Sequence, residues 1–282
     1  MENINNELQL MSKKTFEVNH KKDKDFKKVE MHSHDFYELY FFLHGKASYI
    51  VDERKYSLNA GDVLLISPSN LHQLNIKDTS ESYERIVLWI NPEYLNEIST
   101  ESTDLSVCFK IANDEAMHLI RNNKLSIYLK DEFRSLIDND NKRVYGSDIE
   151  SEIHLKNILI KISEYLLNID ESIDLSKENK IVTSAIDYIN SHLMDDLSLD
   201  LLSKELFINK YYLSHLFKEH TNISPHKYIL KRRLMQSKEL IKKGNKINSV
   251  YKECGFKDYT HFFKAFKDEY KLTPKEYQLL NK

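Results

Sequence analysis

Glycine is scarce in this chain of 282 residues: there are five, Gly45, Gly61, Gly146, Gly244 and Gly255. No two stand close enough to build a G-x-G-x-x-G or G-x-x-x-x-G-K turn, which excludes the glycine-dependent dinucleotide and P-loop phosphate cradles. A G-x-S-x-G nucleophile elbow is absent as well. The two cysteines, Cys108 and Cys254, lie far apart without a C-x-x-C pair, so neither a disulfide framework nor a zinc ribbon is indicated. Long hydrophobic runs are missing too. The longest, Leu39–Leu43 and Ile86–Ile90, are five residues each, far short of what crosses a bilayer. The stretch Met1–Asn19 is polar and lacks the apolar heart of a signal peptide. The expectation is a cytoplasmic protein with no membrane partner.

What is present has the balance of a soluble globular chain, 30% charged and 41% hydrophobic, with length enough for two domains. The net charge of −3 conceals an asymmetry. From Lys180 to the end there are 19 basic and 12 acidic residues; before it there are 22 basic and 32 acidic. A basic C-terminal third on an acidic body points to a polyanionic partner for one part only.

Three textures follow one another. Short β-rich runs occupy about 28–90: Tyr37–Leu43, Ala47–Val51, Lys55–Leu58, Asp62–Ile66 and Arg85–Ile90. Turn signals at His44-Gly45, Asn59-Ala60-Gly61 and Pro68-Ser69-Asn70 divide them, as in a small barrel or double-sheet roll. From about Asp114 the period becomes helical. Leu125, Leu129, Phe133 and Leu136 form one apolar stripe; Ile153, Ile158, Leu159, Ile162, Leu166 and Ile169 form another. After a polar stretch, Asp170–Asn179, everything beyond Ile181 reads as helix.

The last third repeats itself. A shift of 49 residues lays Asn209 on Asp258, Phe217-Lys218 on Phe266-Lys267, Ser224-Pro225 on Thr273-Pro274, and Tyr228 on Tyr277. Asn209 and Asp258 are N-cap types, and Ser-Pro or Thr-Pro joins a capping hydroxyl to proline at the first helical position. Each copy therefore holds a short helix, Leu199–Leu206 or Ile247–Glu253, then a second one, Lys210–His220 or Tyr259–Tyr270. This is a helix-turn-helix made twice. Between the copies Pro225–Lys243 reads as one helix of roughly 28 Å, so the two second helices can stand near one duplex turn apart, roughly 34 Å.

The stretch Leu197–Tyr277 resembles the DNA-binding domain of the AraC/XylS family of bacterial transcription regulators. The resemblance rests on Tyr212-Leu213-Ser214-His215-Leu216-Phe217-Lys218, Ser224-Pro225, Tyr228, Arg233 and Leu240-Ile241. It continues through Cys254-Gly255-Phe256, Asp258, Phe262-Phe263-Lys264, Phe266-Lys267, Thr273-Pro274 and Tyr277. It implies that both second helices are recognition helices on double-stranded DNA. Two residues depart from the pattern. Tyr251 replaces a small residue where the helices of the second unit meet. Phe207 replaces the turn glycine of the first, from which a turn without a positive φ is expected.

Helical phase assigns Leu213, Leu216 and Phe217 to the core and leaves Lys210, Tyr211, Ser214, His215 and Lys218 outward. By the resemblance Tyr211, Ser214 and His215 face base edges, while Lys218 suits a phosphate. In the second helix Phe262 and Phe266 are core, and Tyr259, Thr260, Phe263 and Lys264 are outward, with Lys267 beside them. Phe263 can touch thymine methyls and Lys264 can donate to guanine.

In the β-rich part His32, His34 and Glu38 share even parity, which on a strand aims all three at one face. Gly45 follows Glu38 by seven residues, and Gly61 to Pro68 leads on to His72. These residues resemble the two cupin motifs, and AraC/XylS regulators commonly carry a cupin-like barrel as their effector domain. The resemblance offers His32, His34, Glu38 and His72 as metal ligands or, with Tyr40 and Tyr49, as the polar wall of an effector pocket suited to a sugar or another small polar metabolite. Buried histidines bonded inside the barrel are the third alternative.

The expectation as a whole is an α+β multidomain chain. It comprises an N-terminal arm (1–27), a cupin-like effector-binding β-barrel (28–110) and a helical region for dimerisation (111–170). A linker (171–180) then leads to an all-α DNA-binding domain of two helix-turn-helix units joined by a long helix (181–282). It is expected to be a regulator, more an activator than a repressor, with DNA, a small-molecule effector, a homodimer mate and RNA polymerase as partners and no cofactor. The alternative is a metal-dependent cupin enzyme with an accessory helical domain.

Overall fold

In the computed structural model, which describes residues 10–24, 29–52, 54–68, 70–76, 81–142, 144–169 and 180–280, the chain divides into two units, Met1–Asp174 and Leu175–Lys282. The first carries β1 (Phe16–Asp23), β2 (Tyr37–His44), β3 (Ala47–Val51), β4 (Arg54–Ser57), β5 (Val63–Ile66), β6 (His72–Ile76) and β7 (Tyr83–Ile90). Then come α1 (Pro92–Glu97), α2 (Val107–Asp114), β8 (Leu119–Ile120), α3 (Asn123–Asn141) and α4 (Ser147–Leu167). The strands form two antiparallel sheets, one ordered β1-β7-β2-β5-β8 and one ordered β4-β3-β6.

The larger sheet is apolar on both faces because it is the middle layer. Leu39, Phe41, Val63, Leu65, Ile86 and Leu88 pack with α2, α3 and α4, whereas Tyr40, Phe42, Leu64, Ile66 and Val87 pack with Tyr49, Val51 and Leu74 of the smaller sheet. Alternating residues of β2 thus feed two cores, which is why its sequence is a continuous apolar run. Within β2, Glu38 is a buried polar residue, on the side of the smaller sheet.

Four expectations are corrected here. The expected N-terminal arm instead supplies β1, an edge strand paired with β7 from Phe16↔Ile90 to Asp23↔Tyr83. Only one face of an edge strand needs to be apolar, and Phe16 and Val18 alone carry it, so its pattern is weak. The barrel does not end at 110, because β8 pairs with β5. His32 and His34 precede β2 instead of lying on it, and His32 is held by a bridge to His72, with N···O distances of 3.0 and 2.9 Å. The apolar stripes of α3 and α4 face inward, with Leu129, Phe133, Leu136, Leu155, Ile158, Leu159 and Ile162 fully buried within the unit; Ile153, expected in the α4 stripe, is instead exposed on the other side of that helix. The expected linker, 171–180, lies outside the described residues except for Lys180. Residues 1–9 of the expected arm lie outside them too.

The second unit is helical throughout: α5 (Lys180–Ser191), α6 (Leu199–Glu205), α7 (Lys210–Thr221), α8 (Pro225–Lys242), α9 (Ile247–Glu253), α10 (Tyr259–Tyr270) and α11 (Pro274–Leu280). Side chains of Ser198, Asn209, Ser224 and Asp258 accept from the first free backbone N–H groups of α6, α7, α8 and α10. Among the described residues no helix is long and apolar enough to cross a membrane.

Candidate nucleic-acid interface and buried histidine site

Both helix-turn-helix copies close with the same backbone device. In the first, Ile208 N–H donates to Ser203 O at 2.9 Å and Phe207 N–H to Lys204 O at 3.1 Å. In the second, Phe256 N–H donates to Tyr251 O and Gly255 N–H to Lys252 O, each at 2.9 Å. This is the Schellman motif, which requires a left-handed residue after the cap. Gly255 meets that requirement at φ 77° and Phe207 at φ 53°. The expectation that the first turn needs no positive φ is therefore corrected: the hydrogen bonds dictate the conformation whichever residue stands there.

The recognition helices end alike too. Asn222 (φ 60°) and Lys271 (φ 59°), again 49 apart, break α7 and α10 in the left-handed region before the Ser-Pro and Thr-Pro caps. Leu213, Phe217, Phe262 and Phe266 are buried. On the outer face of α7, Tyr211 is 75% exposed, His215 and Lys218 are exposed, and Ser214 and Lys210 are half-buried. The Lys210 ammonium lies 2.9 Å from Asp200. On α10, Tyr259, Thr260, Lys264 and Lys267 are exposed and Phe263 is half-buried. Sequence reasoning passed over Tyr212 and His261, both exposed on these helices. Tyr212 adjoins core Leu213, and one helical step separates the inside from the outside there.

Tyr251, the departure in α9, packs edge-on to Tyr259 (centroids 5.7 Å) and lies 6.4 Å from Phe262, filling the space a small residue would leave. α8 ties the copies together. Lys231 pairs with Glu269 of α10, and the Lys238 ammonium stands over the rings of Tyr270 (5.4 Å) and Tyr277 (5.6 Å). Toward the first copy, Tyr228 meets Phe217 edge-on at 5.5 Å.

In the first unit His34, Glu38, Tyr40 and His72 are buried and His32 half-buried. Glu38 is the hub. Its Oε2 receives Trp89 Nε1–H at 3.1 Å and faces His34 Nε2 at 3.1 Å, and its Oε1 accepts from Tyr49 at 3.3 Å. Burial alone would raise the Glu38 pKa; the hydrogen bond and charge of His34, with His32 and Trp89, outweigh it and hold the carboxyl below its ordinary value. Burial, with His32 and His34 nearby, drives His72 well below the usual histidine value and keeps it neutral. Burial and then Glu38 push the Tyr49 phenol well up. Trp89 was missed from sequence, although it is the cross-strand partner of Glu38.

Each imidazole is locked from behind. Nδ1 of His32, His34 and His72 meets the backbone oxygens of Glu30 (2.8 Å), Phe36 (2.9 Å) and Asn70 (3.0 Å). A carbonyl only accepts, so each Nδ1 carries the proton and each Nε2 turns inward. The rings stand close: centroids of His32 and His34 lie 4.2 and 4.7 Å from that of His72.

Against known families, residues 17–154 match the model described as an AraC-like ligand binding domain, and residues 202–279 match a helix-turn-helix domain. The transcriptional activator RhaS of Mannheimia succiniciproducens is 25% identical over 251 residues, 88% of each chain. The regulatory protein PocR of Salmonella typhimurium is 28% identical over 161 residues, so the chain spans about half, 53%, of that relative's length. Among solved structures, the C-terminal domain of the response regulator AraT from Geobacillus stearothermophilus aligns at 27% identity and a TM-score of 0.36, over 37% of this chain and 88% of that one.

Proposed function

We propose, on the premise that the chain belongs to the AraC/XylS family of transcription regulators, that it is an activator whose helices α7 and α10 read successive major grooves on one face of DNA under the control of a ligand in its first unit. The observation that carries this is the 49-residue recurrence of cap, left-handed stop and proline, which gives two equivalent helices at the ends of α8. The 18 residues of α8 span about 27 Å, near the roughly 34 Å repeat of a duplex once the flanking units are added.

In this reading Tyr211, Ser214 and His215 approach base edges in one groove, and Tyr259, Thr260, Phe263 and Lys264 in the next. Lys210, Lys218 and Lys267 meet phosphates. Binding to duplex variants tests the division. Lys264→Ala is expected to cost about 1–3 kcal/mol and relax preference at one position of one half-site; Lys218→Ala is expected to weaken all sequences alike and reduce the salt slope by about 1. Unchanged sequence preference in Lys264→Ala contradicts its role.

The effector site consists of His32, His34, Glu38, Tyr40 and His72. A sugar would have to part imidazoles that already touch, so the species held is small and polar. Since the inward stripes of α3 and α4 are covered, a homodimer would use the opposite side of α4, where Ile149, Ile153, Ile160 and Leu167 are exposed. Work in the cytoplasm and contact with RNA polymerase complete the proposal for an activator.

A further inference from the structure

We propose that Lys231 and Glu269 are positioning residues for the second recognition helix: their ion pair fixes the direction of α10 on α8 and thereby how sharply α10 reads its groove. The inference rests on reading α7 and α10 as the helices that enter DNA. Three observations carry it.

The first is a pair of buried cations. Lys231 and Lys238 stand seven residues apart on α8, and both are buried. A lysine is seldom buried unless it is paired. Lys231 meets Glu269 in the last turn of α10, the lysine side chain 7% exposed and the glutamate 30%. The Lys238 ammonium stands over the rings of Tyr270, at the end of α10, and Tyr277 in α11. Desolvation offsets most of what a buried ion pair gains, so apolar residues of similar volume would hold the two helices about as firmly. What the charges add is direction. Ammonium and carboxylate must meet at contact distance, whereas apolar attraction follows buried area and is indifferent to angle.

The second observation is the contrast with α7. Its support α5 has Val182, Ala185, Ile186 and Ile189 as its buried residues, all apolar among those described. Against α8 it brings Phe217 edge-on to Tyr228. The Lys210–Asp200 pair that joins α7 to α6 is exposed on both sides, and such pairs fix little. A buried charge therefore orients α10, while apolar packing carries α7.

The third is leverage. Glu269 lies near the C-terminal end of α10 and Tyr259 begins it, ten residues or about 15 Å away along the axis. A tilt of about 10° at the ion pair moves Tyr259 by about 2.6 Å and Lys264 by about half as much, enough to lose a hydrogen bond to a base edge. Phe262 and Phe266 keep α10 on its core, and the charged pair selects the angle.

The test uses the full chain and a duplex that it selects from a randomised pool. Bases whose preference Lys264→Ala or Thr260→Ala relaxes mark the half-site of α10. The double variant Lys231→Met with Glu269→Met removes both charges at similar volume. It is expected to unfold at the wild-type denaturant midpoint or above, yet to lose at least fivefold of its discrimination at the α10 half-site, with less than a twofold change at the other. Lys231→Arg, which keeps the pair, is expected to retain discrimination at both. Should the double variant fail to fold by circular dichroism, Lys231→Gln, uncharged but still a donor to Glu269, is read in its place. Unchanged discrimination at the α10 half-site, a loss shared equally by both half-sites, or a loss only in step with a lowered midpoint overturns the proposal and leaves the reading of DNA intact. Failure of the intact chain to select any duplex rejects that reading, and the proposal with it.

Discussion

The two helix-turn-helix copies close their first helices with the same backbone bonds, although the turn of the first is one residue shorter, and they differ in how that turn is secured. The second has glycine at its left-handed turn and a reciprocal cap at α11, where Thr273 N–H donates to Glu276 at 2.7 Å and Glu276 N–H to Thr273 Oγ1 at 3.2 Å. It also has a run of touching rings through Tyr259, Phe262, Phe266, Tyr270 and Tyr277. The first copy has Phe207 at the turn, 96% exposed, and Lys227 where the reciprocal carboxylate would stand. The shape of the motif is set by its backbone hydrogen bonds, and side chains decide only how much strain that shape carries. The second copy is the firm anchor; the first holds the same geometry at a cost.

Gly255→Ala should break this comparison most severely. A Cβ there would lie 2.7 Å from Leu193 O and 2.9 Å from Arg233 Nε, at φ +77°, displacing the Arg233 side chain that donates to the carbonyls of Leu193 and Asp195. We expect a loss of about 2–4 kcal/mol, confined to the second unit. The neighbouring Cys254 supplies the readout. Burial pushes both Cys254 and Cys108 up to about 12, so each thiol reacts only when its surroundings open. Alkylation of Cys254 should quicken in the variant while Cys108, in the first unit, stays slow. Equal acceleration at both would contradict independent units.

Phe207→Gly should sharpen the comparison with a smaller and opposite effect. It removes the left-handed penalty of a β-carbon and sacrifices no buried area, against the entropy of the added glycine. A gain of about 0.5–1 kcal/mol is expected in denaturant unfolding followed by circular dichroism. A loss of similar size would mean that the exposed ring has a partner of its own.

The same contrast shows what the sequence made legible. Helix α10 lies where its Asp258 cap puts it, and β3 spans the short β-rich run Ala47–Val51, because both signals are local. The positive φ of Phe207 has no glycine to mark it in the sequence; the Schellman bonds impose it. The stripes of α3 and α4 were visible, but not the sheet that covers them, since periodicity identifies a buried face without naming what buries it. In the first unit the motif spacing alone groups His32, His34, Glu38 and His72, which the fold brings together. Trp89 escaped because its tie to Glu38 is a matter of register between strands 51 residues apart.

The central claim is that α7 and α10 engage one face of DNA together, and footprinting of the intact protein on its operator with hydroxyl radicals tests it most directly. Two protected patches about 10 base pairs apart on the same face are predicted, both weakening as salt rises. A single patch, or protection of opposite faces, would contradict it.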